Sequence, residues 1–279
     1  LFRSLLAAAD GAAQGDPSQG YPSRFIRLVI PWPAGGGADI IGRTVALKLG
    51  EALKVQVIAD NRAGATGIIG TEAAAKAPAD GYTLLQGNSA ILAINPAIHT
   101  KLPYDPLSSF APISLVNHGA LLIVIHPSIP ARNVKELIAL AKARPGQLNY
   151  ASSGTGGSGH LGGEMFRQAA GVDLVHVPYK GGAPAAADVV AGQASVMFAD
   201  RLSAVPFVKT GRLRALAVTS SRRAEGLPDI PTITESGGPP MEAAAWTGIL
   251  APAGTPAPLI DRLNRELVRV VRSQDFRDR

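Results

Sequence analysis

The chain contains no cysteine. Disulfides, thiolate catalysis, iron–sulfur clusters and cysteine-based zinc sites are excluded together. Aromatic residues are scarce, at 5% of the sequence, and none interleaves with a basic cluster. The formal net charge is +6, but the arginines are spread along helix-like stretches, as at Arg262, Arg265, Arg269 and Arg272. Nucleic acid is therefore not an expected partner, since it calls for concentrated charge with stacking platforms. The modest positive balance suits the steering of anionic solutes. Long apolar runs are also missing. The longest, Ala120 to Ile125, falls far short of the roughly 20 residues of a membrane span. The histidines at 99, 118, 126, 160 and 176 show no ligand spacing, so neither a metal nor a cofactor is expected.

What the chain does have is 46% apolar content over 279 residues, enough for two domains with packed cores. From Tyr21 onward, short β-rich runs alternate with Ala-rich segments of helical spacing. Strands are expected at 25–30, 55–59, 83–86, 112–116, 121–125, 148–151, 174–177, 195–198, 213–218 and 247–250. Helices fit 39–53, 67–76, 133–143, 160–170, 183–191, 201–209 and 257–272. Asn133 followed by Glu136 reads as a capping box, Pro145-Gly146 as a helix stop, and Pro256 or Pro258 as the start of the last helix. The alternation predicts parallel βαβ units. Two doubly wound sheets of about five strands fit better than one wide sheet. Asn117-His118-Gly119 separates two β segments and reads as a crossover, with a second crossing near Trp246 to Pro252. The expected organisation is α/β: one domain of 21–118 plus 248–279, a second of 119–247, and a cleft between them that hinges shut. Leu1 to Gln19, with Leu5-Leu6-Ala7-Ala8-Ala9 ahead of a polar stretch, reads as a signal remnant and flexible lead-in over 1–20.

The chemistry points to two glycine turns. Pro33-Ala34-Gly35-Gly36-Gly37-Ala38-Asp39 follows the first strand, and Ser152 through His160 follows the strand at 148–151. Each opens a helix, so unpaired N–H groups and the positive end of a helix dipole meet where glycine lets an anion approach. Two such turns facing each other would clamp a small anion. Gly154 to Gly159 also matches G-x-G-x-x-G, but the strand that follows runs into Pro178-Tyr179-Lys180-Gly181 without the ribose-binding acid. Ser158 and His160 invite a hydrolase reading, yet G-x-S-x-G is missed and no carboxylate is paired with them. A hydrolase or NAD-dependent enzyme built on this turn is the alternative to a binder. Asp39 either stabilises the first helical turn or accepts a hydrogen bond from a ligand amine. Asn88 and Ser89, at a strand end, are either a self-satisfied turn or a third wall of the site. Asp200 is a helix N-cap or part of the cleft, and Trp32 is core or packs on the ligand.

A series of motifs carries a resemblance. Tyr21-Pro22-Ser23, Pro31-Trp32-Pro33-Ala34-Gly35-Gly36-Gly37-Ala38-Asp39, Asp60-Asn61-Arg62-Ala63-Gly64-Ala65 and Asp80-Gly81-Tyr82-Thr83-Leu84-Leu85 come in order. Leu102-Pro103-Tyr104-Asp105-Pro106, His160-Leu161-Gly162-Gly163-Glu164 and His176-Val177-Pro178-Tyr179-Lys180-Gly181 follow. Later come Ala215 to Ser220, Leu227 to Thr232 and Ala251 to Pro256. Over roughly 21 to 272 the chain resembles the Bug family, the extracytoplasmic solute receptors of tripartite tricarboxylate transporters. The resemblance implies a periplasmic binding-protein-like fold and a periplasmic, signal-exported monomer. It implies a receptor that takes an amino acid, a di- or tricarboxylate or an aromatic acid and passes it to membrane permease subunits. A soluble sensory domain for the same ligands is the remaining alternative. The implied ligand contacts are Trp32, Ala34, Gly35, Gly36, Gly37, Asp39 and Ser89, with Asn88 beside them. Gly154, Thr155, Gly156, His160 and Asp200 form the opposite wall. The chain departs from the family pattern at Ala38, where relatives often carry a hydroxyl residue. It also lacks the stretch that relatives carry after the last helix, so a C-terminal truncation is expected.

Overall fold

A computed structural model describes residues 20–277; the lead-in expected over 1–20 lies, but for Gly20, outside them. The chain runs β1 (Ile26–Ile30), α1 (Gly37–Leu53), β2 (Val57–Asn61), α2 (Ile68–Ala75), β3 (Thr83–Asn88), α3 (Asn95–Ile98) and β4 (Phe110–Ala120). It continues through β5 (Leu122–Ile125), α4 (Val134–Ala143), β6 (Asn149–Ser152), α5 (Ser158–Ala170), β7 (Val175–Pro178), α6 (Gly182–Val190) and β8 (Val196–Ala199). The last elements are α7 (Arg201–Lys209), β9 (Arg214–Val218), β10 (Ala244–Pro252), α8 (Ala257–Arg272) and α9 (Gln274–Arg277). A 3-10 turn at Ala65–Gly67 runs into the helix expected from 67, and a π turn at Ala90–Ile94 lies where no helix was expected.

The strands form two five-stranded sheets, in the orders β2-β1-β3-β10-β4 and β7-β6-β8-β5-β9. The expectation of parallel units needs one correction per sheet. β10 runs antiparallel to β3 and β4, and β5 runs antiparallel to β8 and β9. Each of these strands arrives from the other sheet, and so enters its own sheet from the opposite end. The crossover also differs from the expected one. Asn117, His118 and Gly119 do not interrupt the strand; they pair with Thr247, Trp246 and Ala245 inside a continuous β4–β10 ladder. The break falls at Leu121, whose N–H is taken up by Ala243 O and Thr219 Oγ1. The two connections between the sheets are thus zipped together.

Packing follows the residue pattern. β5 sends Leu122 and Val124 to one face of its sheet and Ile123 and Ile125 to the other, and all four are fully buried. A sheet covered on both faces needs such an unbroken apolar strand. In α8, Leu259, Leu263 and Leu267 form a buried stripe in the core of the first sheet, with Val270 buried one turn on, while Arg265, Arg269 and Arg272 face water. The expected capping pair is present in a shifted form: Asn133 Oδ1 accepts from Glu136 N at 2.8 Å, while Glu136 Oε2 accepts at 2.7 Å from Arg132 N, the residue before the cap.

Candidate functional site

Helices α1, α5 and α6 each start from a glycine, at Gly36, Gly157 and Gly181, and none has a side-chain cap. Their first N–H groups are therefore left for a ligand or for water. Each follows the C-terminal end of a parallel strand (β1, β6 or β7), where ligands settle in open α/β sheets. The topology turns these ends toward one another. A Cβ placed on Gly36 would lie 3.7 Å from Ala183 N and 3.8 Å from Gly182 N, so the first turn of one half faces the start of α6 in the other. Between the halves lies a cavity of about 950 Å³.

Six of the expected residues line this cavity: Trp32, Gly36, Gly37, Asn88, Ser89 and Asp200. Asp200 is the N-cap of α7; its Oδ1 accepts from Ser203 N at 2.9 Å and its Oδ2 from Ser203 Oγ at 2.8 Å. Asn88 Oδ1 accepts from Ile91 N at 3.1 Å, which fixes the start of the π turn. Ser89 Oγ meets Ser158 Oγ at 2.8 Å across the gap.

Ala34, Gly35, Asp39, Gly154, Thr155, Gly156 and His160 are not among the lining residues. Most of them shape the turns from behind. Asp39 is buried; its Oδ2 accepts from Gly35 N and Arg43 Nε, each at 2.9 Å, and its Oδ1 accepts from Asn61 Nδ2 at 2.8 Å. Asn61 in turn donates to Trp32 O at 3.0 Å, which ties β2 to the turn. Burial works against the Asp39 charge, but the bonds from Arg43, Gly35 and Asn61 outweigh it and hold the carboxyl below its ordinary pKa. Gly35 takes a positive φ of 87°, which only glycine adopts freely.

In the second turn the N–H groups of Gly154 and Gly156 are already committed. They donate to Ser152 Oγ and His160 Nδ1, each at 3.2 Å. Thr155 O accepts from Thr66 Oγ1 of the other half at 2.8 Å. The His160 ring lies 4.2 Å from that of His176, whose Nε2 sits 2.7 Å from Ser152 Oγ. Burial lowers the pKa of both rings, and with His160 alongside, His176 falls to about 4. Both imidazoles are neutral at pH 7.

Sequence reasoning missed Ser153, Gly157, Ser158, Gly181 and Gly182 as cavity walls, and Trp246 and Thr247 of β10 as its floor. A signal for the α6 wall was present. Val175 to Val177, Gly181 and the helix after it repeat the strand–glycine–helix pattern of the other two turns.

Residues 41–278 match the family described as tripartite tricarboxylate transporter family receptor. Protein BugT of Bordetella pertussis is 36% identical over 271 residues, which cover 97% of this chain and 83% of BugT. The chain belongs to the tripartite tricarboxylate transporter receptor family. Among solved structures, Rpa4515 of R. palustris with adipate superposes with a TM-score of 0.89 at 35% identity, covering 92% of this chain and 86% of that one. MatC from Rhodopseudomonas palustris with bound malate gives 0.86 at 30% identity, covering 92% and 87%. The protein is a solute-binding receptor of the Bug type and not an enzyme. The receptor's own geometry agrees with this. Ser158, the serine of the hydrolase reading, pairs with Ser89 rather than with a histidine. Of the three glycines of the dinucleotide reading, Gly154 and Gly156 spend their N–H groups on Ser152 and His160.

Proposed function

We propose that the receptor holds a small carboxylate between its two halves and delivers it, in the periplasm, to the membrane permease of a tripartite transporter. The halves are taken as 21–118 with 248–279 and 119–247, working as a monomer. One observation carries this reading: three glycine-started, uncapped helix N-termini border a single cavity. The carboxylate accepts from the first N–H groups of α1, α5 and α6, with Ser89, Asn88, Ser153 and Ser158 completing the polar lining and Trp32 and Trp246 packing on the carbon skeleton. Each helix terminus contributes about 0.3–2 kcal/mol, and each charge-assisted hydrogen bond about 1.5–3 kcal/mol. Four such bonds reach about −8 kcal/mol, which is micromolar binding. The adipate and malate held by Rpa4515 and MatC are acids of this kind. The remaining expected residues, from Ala34, Gly35 and Asp39 to Gly154, Thr155, Gly156 and His160, serve the site by shaping its turns.

The test is a thermal-shift screen of mono-, di- and tricarboxylates, amino acids and aromatic acids, with NAD as control. A ligand at a hundredfold excess over its Kd adds about 2.7 kcal/mol, a shift of several degrees for a chain of this size. A shift with one class of acid is expected. A flat response from folded protein, or a response to NAD alone, refutes the reading.

A further inference from the structure

The three glycines of the first turn stand in three different environments. Gly35 needs its positive φ of 87°, and no atom lies within 4 Å of the place a Cβ would take. Gly36 has room for a side chain, its nearest neighbours being 3.7 and 3.8 Å away. Gly37 is different again. Its backbone is ordinary helix at the first position of α1, open to any residue, yet a Cβ there would overlap Asp200 Oδ1 and lie 2.9 Å from Asp200 Cγ and 3.2 Å from Oδ2. Asp200 belongs to the opposite half, at the start of α7. Its position is set by its two bonds to Ser203, so it cannot swing aside without uncapping α7.

We propose that Gly37 is the socket and Asp200 the plug that set how far the two halves close, so that the size of residue 37 determines whether the receptor reaches its closed, ligand-holding state. The inference rests on the carboxylate-receptor reading. It adds that Asp200, although it lines the cavity, acts as a closure contact packed against Gly37. In an isolated half, alanine at position 37 is harmless, because it favours a helical first turn more than glycine does. The conflict exists only when the halves meet. The geometry therefore separates closure from folding at a single atom.

The chain lacks cysteine, so Glu51→Cys and Lys209→Cys, exposed at the far ends of α1 and α7, give unique positions for spin labels. Distance distributions are recorded without ligand, and affinity for the acid found in the screen is measured on unlabelled protein. The parent is expected to show a short-distance population. Gly37→Ala should lose that population, keep or raise its melting temperature, and bind the acid about ten- to a hundredfold more weakly, the range for overpacking a fitted contact. Adding Asp200→Ser, which shortens the plug yet retains a residue suited to capping α7, should restore the short distance. Parent-like distances and affinity in Gly37→Ala, a parent without a short population, or a double variant that stays open would each overturn the proposal. The two readings fail separately. A parent that binds no acid but shows the expected distance changes refutes the receptor's ligand class and leaves the socket standing. Strong binding unaffected by Gly37→Ala does the reverse.

Discussion

Asp39→Asn tests whether the first turn is held from behind or is itself a ligand contact. The carboxylate accepts three hydrogen bonds, from Gly35 N, Arg43 Nε and Asn61 Nδ2. Every facing atom is a donor. Asparagine offers one oxygen and one NH2, so either orientation sets a donor against a donor. Asn61 cannot turn over to compensate, because its Nδ2 also serves Trp32 O and its Oδ1 accepts from Arg43 at 2.7 Å. Bonds to a buried carboxylate are worth about 1.5–3 kcal/mol each. Gly35 is exposed and the Arg43 side chain is 53% accessible, so water replaces much of those two. What remains is the Asn61 bond and the cost of a mismatched buried amide, about 2 kcal/mol net. Urea unfolding followed by the fluorescence of Trp32 and Trp246 reads this as a lowered midpoint with an unchanged slope. Affinity for every acid should fall together as the turn loosens. A parent-like midpoint would refute the reasoning. Selective loss of amino-acid ligands at full stability would instead make Asp39 the acceptor of a ligand amine. The pH dependence gives a second check. The folded carboxyl titrates below its ordinary value of 3.8, so its contribution is complete above pH 3.8 and lost as pH falls through the folded value. Asp39→Asn should flatten that acid limb.

Two histidines give a separate acid transition. His176 falls from 6.5 to about 4 on folding, so the unfolded chain binds the extra proton first and the urea midpoint should decline as pH drops from 6.5 toward 4. His176→Gln should reduce that slope, and an unchanged slope would show that the ring is not desolvated. Asn133→Ala removes the α4 cap and should cost about 1 kcal/mol in urea unfolding, without altering the affinity for any acid. Leu263→Ala, in the fully buried stripe of α8, should cost about 2–5 kcal/mol; a smaller loss would mean that α8 contributes little to the core of the first half.

Much of this was legible in order along the chain. The strands came out within a few residues, because period and apolar run length report directly on which segments are buried. The capping box at Asn133 and Glu136 was legible because both bonds are local. The π turn at Ala90–Ile94 was not. It depends on Asn88 Oδ1 holding Ile91 N and on Tyr104 OH donating to Ile91 O at 2.7 Å, and no local pattern states that second contact. The antiparallel direction of β5 and β10 was equally hidden, since a strand's residues record its burial but not the end from which it enters a sheet.

The site divides along the same line. The sequence alone determined that glycine turns would present helix N-termini in two α/β units, because glycine spacing and helix starts are local chemistry. Gly181–Gly182 carried the same pattern and was legible in principle. Which N–H groups remain available was only partly legible: those of Gly154 and Gly156 are consumed by neighbours in the same turn, Ser152 and His160. Only the tertiary structure decided that Asn61 of β2 completes the ring of donors into which Asp39 faces. Nor could any local pattern show that Gly37 meets Asp200, 163 positions apart along the chain and only a Cβ's width apart in space. A sequence states what each turn can offer. Which turns face each other, and how closely, is set by two sheets and the paired strands that join them.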